Sequence, residues 1–225
     1  LSLRRQRQMC IRDRTRDDPY YISAVGALGE GSSNSLSKDT DLALAIGTKL
    51  ADFTTGSWAN FENPNFKLVS VNTARFDTTK HLATSVISDA KIGLQQISDA
   101  LGDWRAPNTW YQRAIKERDE WDAYVEKQSG PTNQEEPSYA HAVGAVYRNS
   151  DPSDIVVTAA GGLVGEVVQV WKPKQLNTFE TEWGFSCMGY EISGALGIKM
   201  AKPDQDVVVF VGDGSYLLNN SDIYS

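Results

Sequence analysis

The chain has 225 residues, 40% of them hydrophobic and 23% charged, with 18 glycines and a formal net charge of −7. That length sustains one large domain or parts of two around a sizeable core. No apolar run reaches the ~20 residues that span a bilayer. The acidity argues against a general nucleic-acid surface, and it requires any anion site to be built locally from backbone donors or a metal.

Two cysteines, Cys10 and Cys187, are too few for a disulfide framework or a metal cluster, which points to a reducing, cytoplasmic setting. The opening "LSLRRQRQMCIRDRTRDD" gathers arginines with no apolar segment behind them, so it is no secretory signal. Its "MCIRDR" resembles translated sequencing-adapter text. Residues 1–16 are set aside as a non-native leader, the alternative being a basic tail for an acidic partner.

In chain order, glycines in "VGALGEG" mark a turn-rich stretch before "DLALAIG" (41–47), a short apolar run that predicts a buried strand. "FKLVSVN" (66–72) predicts a second strand. "SDAKIGLQQISDAL" (88–101) predicts a helix capped by Ser88 or Asp89, with Ile92, Leu94, Ile97 and Leu101 as its apolar face. Strand, strand and helix in this order fit an α/β layer with a parallel sheet. The stretch 105–138 reads as a helix that opens after Pro107, ends at Gly130-Pro131 and runs into a polar linker. The segments are therefore 17–104, 105–138 and 139–225.

In the last segment, "AHAVGAVYRNS" (140–150) and "MGYEISGALGIKMA" (188–201) predict helices. "DIVVTAAGG" and "QDVVVFVGDGS" each predict a strand running into a glycine turn, and their unbroken β-branched runs suit parallel strands covered on both faces. The fold class is α/β, with parallel sheets flanked by helices.

The strand ending in Gly212-Asp213-Gly214 carries the chemistry. Open α/β sheets present ligands at the carboxyl ends of their strands. Glycines let the backbone approach phosphate oxygens. A carboxylate among them offers Mg²⁺ the hard oxygen it prefers. An isolated Asp-Gly turn is nonetheless common, so the surrounding residues decide. Asn219 and Asn220 in "LLNNSDI" read as part of the helix after the turn. His81 and His141 have no Ser or Cys arranged with them and receive no role. Cys187 reads as a small buried thiol, Trp58 as a core residue, and Glu166, Glu180 and Glu182 as solvated acids.

Upstream, "TEWGFSCMGYEISGALG" (181–197) sets Met188 before Asp213 in a pattern that resembles the thiamine-diphosphate enzymes of the acetolactate-synthase type. The resemblance runs from about residue 20 to 225. It implies a partial central domain over 17–104 and the first half of a diphosphate-binding domain over 139–225, with thiamine diphosphate and Mg²⁺ as cofactors. It implies that Met188 props the cofactor in a bent shape and that the Ser186 carbonyl accepts from its pyrimidine amino group. Asp213 would bind the metal. Gly212, Gly214 and Ser215 would meet the diphosphate, with Ala159, Ala160 and Gly161 beside it.

"DFTTGSW" (52–58) and "GDGSYLLNNSDI" further resemble family members that hydrolyse a C–C bond of a cyclic dione in inositol breakdown. The alternatives are an acetolactate-synthase-like carboligase or decarboxylase, and a non-catalytic nucleotide-binding module. The family's catalytic glutamate and its second metal ligand match nothing here. The chain is therefore expected to be a fragment, inactive alone, of a homo-oligomer that binds its cofactor between subunits.

Overall fold

The computed structural model describes residues 18–224; the leader reading for 1–16 lies outside them. In chain order the elements are α1 (Gly31–Asp39), β1 (Leu42–Ile46), α2 (Asp52–Thr55), β2 (Lys67–Asn72), α3 (Arg75–Thr79), β3 (Thr84–Ile87), α4 (Ala90–Leu101) and α5 (Asn108–Ser129). Then follow α6 (Tyr139–Arg148), β4 (Ile155–Thr158), α7 (Leu163–Val170), β5 (Phe179–Thr181), α8 (Tyr190–Ala201), β6 (Val207–Val209) and α9 (Asp213–Asn219). The chain divides into two compact units, one formed by Val25–Arg118 and the other by 18–24 together with 119–224. Both sheets are parallel and both units are α/β, as expected.

In the Val25–Arg118 unit the strand order is β1-β2-β3, with Leu44 opposite Val69 and Val71 opposite Val86. The central strand β2 buries Leu68, Ser70 and Val71. Asp89 caps α4 by accepting from the amides of Lys91 and Ile92, which satisfies two of the donors a helix start leaves free. The apolar face expected on α4 is not its packed face, because Ile92, Leu94 and Leu101 are exposed. The helix instead meets the sheet through Gly93, where a Cβ would come within 2.8 Å of a Val71 methyl. The backbone approaches so closely there that glycine is the residue that fits. Trp58 is half-buried, edge-on to His81 with ring centroids 4.4 Å apart.

In the other unit the order is β5-β4-β6. All four residues of β4 are buried, and they alternate between two cores as a pleated strand must. Val156 joins Phe179, Val143, Val167, Val168 and Trp171 on one face. Ile155 and Val157 join Ala195 on the other, with Tyr190 and Ile198 packed around them. At ~1.5–3 kcal/mol for each fully buried large apolar side chain, β4 and its neighbours anchor this unit. The expectation of two covered faces fails for β6. It is an edge strand of three residues, and Val209 is 37% exposed. Asn219 ends α9 and Asn220 opens a short 3-10 turn, so both follow the Gly-Asp-Gly turn on helical backbone, as predicted.

Candidate active site

The carboxyl ends of β4 and β6 lead into the two glycine turns that the sequence singles out. After β4, Ala159 and Ala160 are buried and Gly161 has φ +83°, a conformation that L side chains rarely adopt. After β6, Gly212 leads into α9 without a side-chain cap, and the exposed Asp213 carboxylate accepts from the Gly214 amide at 2.9 Å. Ser215 is buried. A third segment, 185–189, links β5 to α8. Ser186 there stands at φ 52° and Gly189 at φ 93°.

These three segments converge. The Met188 terminal methyl lies 3.0 Å from where a Gly214 Cβ would be, so Met188 rests on the Gly-Asp-Gly turn. The side chain is 49% exposed, so it is no core methionine. The Ser186 hydroxyl reaches the Ala159 carbonyl in a long hydrogen bond of 3.5 Å. The Asn219 side chain occupies the space a Gly189 Cβ would need, which together with its φ makes that position glycine's.

Two carboxylates that the sequence did not single out as functional hold this arrangement. Glu191 is fully buried. One of its oxygens accepts from the Ala160 amide at 3.1 Å and the other from the Gly189 amide at 2.9 Å. It thereby ties the turn after β4 to the start of α8. Glu182, expected to be solvated, is 7% exposed. Its two oxygens accept from the amides of Phe185 at 3.0 Å and Cys187 at 2.8 Å. The reason is the short loop, which folds back over the end of β5 and leaves amide donors that need an acceptor. Glu166 and Glu180 are half-buried. Their neighbourhood to glycine turns was the only available signal for Glu182 and Glu191, and a carboxylate has no distinctive spacing when its partners are backbone amides.

Cys187 is exposed, not buried as expected, although its amide donates to Glu182. Desolvation, then the Glu182 charge and hydrogen bond, push its thiol above the ordinary value. That is opposite to what a nucleophilic cysteine needs. His141 caps α6 with Ser138, and the His81 ring lies 3.2 Å from the Leu50 carbonyl.

The donor set fits a diphosphate with a hard cation. A Cβ at Gly161, Gly162 or Gly212 would meet nothing within 4 Å, so bare backbone faces open space on both turns. Asp213 supplies an exposed carboxylate beside it. At the end of β4 the Thr158 hydroxyl is buried with no hydrogen-bond partner, an unspent polar group at the crevice edge. No group of three or more acidic, His or Cys side chains that could hold a metal ion occurs among the described residues. A metal here would thus lean on Asp213 and on ligand oxygens, a pattern common for Mg²⁺.

Comparison with known proteins agrees with this geometry. The family model "Thiamine pyrophosphate enzyme, central domain" matches residues 13–97, and "Thiamine pyrophosphate enzyme, C-terminal TPP binding domain" matches 159–224. The chain is 34% identical to a 3D-(3,5/4)-trihydroxycyclohexane-1,2-dione hydrolase of Clostridium tetani, covering 90% of this chain and 35% of that protein. It is 33% identical to the protein of the same name from Geobacillus thermodenitrificans, over 91% of this chain and 35% of the relative. A Clostridium botulinum protein of that name is 32% identical over 92% of this chain and 36% of its own length. The chain therefore spans about a third of the length of these relatives. The chain thus matches two domains of thiamine pyrophosphate enzymes in succession, with the converging turns inside the second match.

Proposed function

We propose that this chain supplies the Mg²⁺- and diphosphate-binding side of a thiamine-diphosphate-dependent hydrolase. Its substrate would be a trihydroxycyclohexane-1,2-dione, opened to a deoxy-glucuronate in inositol catabolism. The observation that carries the reading is the seating of Met188 on Gly214 beside Asp213, in a segment whose relatives carry that hydrolase name. Asp213 would hold the metal. The bare backbone at Gly212, with Gly214 and the buried Ser215, would meet the diphosphate, and Ala159, Ala160 and Gly161 would flank it. Met188 would prop the cofactor, and the Ser186 carbonyl would accept from its pyrimidine amino group.

When bound, thiamine diphosphate supplies the carbon nucleophile for C–C cleavage, a chemistry that belongs to the cofactor. The protein's part is to hold the diphosphate, orient the rings and present the substrate. The site would lie between subunits of a cytoplasmic homo-oligomer, acting on a small molecule rather than on nucleic acid or membrane. No helix among the described residues is long and apolar enough to cross a bilayer.

Two measurements test this reading on the longer protein to which this segment would belong. Calorimetry should show thiamine diphosphate binding that requires Mg²⁺. Turnover should be seen with the cyclic dione and not with pyruvate. Acetolactate formation from pyruvate would transfer the chain to the carboligases, and cofactor-independent ring opening would end the proposal.

A further inference from the structure

The peptide group joining Ser186 to Cys187 is trans, as are the other peptides of the described residues. In a trans peptide the carbonyl and the following N–H point in opposite directions within one rigid plane. The Cys187 N–H donates to Glu182 at 2.8 Å. The Ser186 carbonyl therefore points directly away from Glu182. The same carboxylate also accepts from Phe185 at 3.0 Å, so the peptide planes on both sides of the loop's tip are tied to one side chain. Ser186 itself sits at φ 52°, a left-handed conformation that costs a non-glycine residue about 1–2 kcal/mol. Such a conformation persists only where neighbours hold it. Glu182 is 7% exposed and follows directly after β5, so the holding group is itself fixed to the sheet.

We propose that Glu182 is a positioning residue. It fixes the direction of the Ser186 carbonyl and thereby strengthens the grip on the amino group of the cofactor's pyrimidine ring. The proposal rests on the thiamine diphosphate reading above. Its physical core is that a carboxylate offers two acceptor oxygens and a carboxamide only one. Glu182→Gln keeps the volume but can satisfy only one of the two amides, so the peptide plane at 186–187 is no longer held from both ends.

The test uses the longer protein to which this segment would belong, with Mg²⁺ and two ligands: thiamine diphosphate, and the analogue in which hydrogen replaces the pyrimidine amino group. Wild type should bind thiamine diphosphate more tightly than the analogue. Glu182→Gln should lose about fivefold or more in affinity for thiamine diphosphate, the scale of one hydrogen bond, while its affinity for the analogue stays unchanged. The preference for the amino group would thus shrink or vanish. Equal weakening of both ligands would mean a general structural role and would overturn the proposal, as would no change in either. Wild type binding neither ligand would sink the cofactor reading itself, a different result from any of these. Should circular dichroism show Glu182→Gln unfolded, Glu182→Asp is measured the same way. It keeps both acceptor oxygens but is one methylene too short for both amides, and the same selective loss is expected.

Discussion

The two glycine turns of the C-terminal unit look alike in sequence and differ in how they are held. The turn after β4 grows from a strand buried on both faces, and the wholly buried Glu191 secures it from another element. The turn after β6 grows from a half-exposed edge strand, and the side-chain bond seen within it is internal, from the Gly214 amide to Asp213. The first is a scaffold whose shape folding has already fixed. The second leaves its carboxylate exposed, where a ligand can use it. A glycine turn at a strand end is thus not one kind of site, and the depth of the strand behind it decides which kind it becomes.

The largest effect expected from this contrast is at Glu191. Glu191→Ala would leave the buried amides of Ala160 and Gly189 without an acceptor, at about 1–3 kcal/mol for each such group. Urea unfolding should show a loss of about 2–5 kcal/mol. Glu191→Gln, retaining one acceptor, should lose roughly half as much. A loss under about 0.5 kcal/mol for Glu191→Ala, the range of ordinary surface substitutions, would mean that the first turn is no more fixed than the second. Next in size is Gly161→Ala. Nothing obstructs a Cβ there, so the cost is purely that of holding alanine at φ +83°, about 1–2 kcal/mol. The same unfolding measurement reads it. No change would mean that the turn relaxes freely to negative φ.

Asp213→Ala should separate stability from binding. The side chain is exposed and sits in the first turn of a short helix, where a negative charge contributes about 0.3–1 kcal/mol. The midpoint of unfolding should therefore move little, while Mg²⁺-dependent binding of thiamine diphosphate is lost. Calorimetry that finds unchanged affinity would end the proposal that Asp213 holds a metal.

Most of the layer architecture was readable because buried parallel strands and capped helices leave strong patterns. "DLALAIG", "FKLVSVN" and "DIVVTAAGG" contain β1, β2 and β4, and Asp89 marks the start of α4. The elements that escaped notice had weak or misleading signals. Helix α1 is built from "GSSNSLSKD", poor helix formers whose small side chains pack Ser32, Ser33 and Ser37 inward. Helix α7 is rich in valine and reads as readily as strand. Strand β5 is three residues long. At the site, Met188, Asp213 and the glycines were legible because their types and order are distinctive. The convergence of Met188 on Gly214, and the grip of Glu182 and Glu191 on backbone amides, depend on chain direction in space, which no spacing rule encodes.

The smallest expected effect is the most discriminating. A Cβ at Gly214 would meet the end of the Met188 side chain at 3.0 Å, a tight contact with a flexible group. Methionine has three rotatable bonds and fills irregular space readily, so it can withdraw by a few tenths of an ångström. Alanine is also the better helix former by about 1 kcal/mol, and Gly214 lies within α9. The two effects oppose each other, so Gly214→Ala should leave the unfolding free energy within about 0.5 kcal/mol of wild type, as at an ordinary surface site. Its consequence should fall on the ligand. Moving Met188 and covering the backbone at 214 would alter both the proposed prop and the proposed diphosphate seat, so thiamine diphosphate affinity should drop while the fold is indifferent. A large stability loss would place Met188 in a rigid contact and make the second turn a scaffold like the first. Unchanged stability with unchanged affinity would mean that the cofactor touches neither residue.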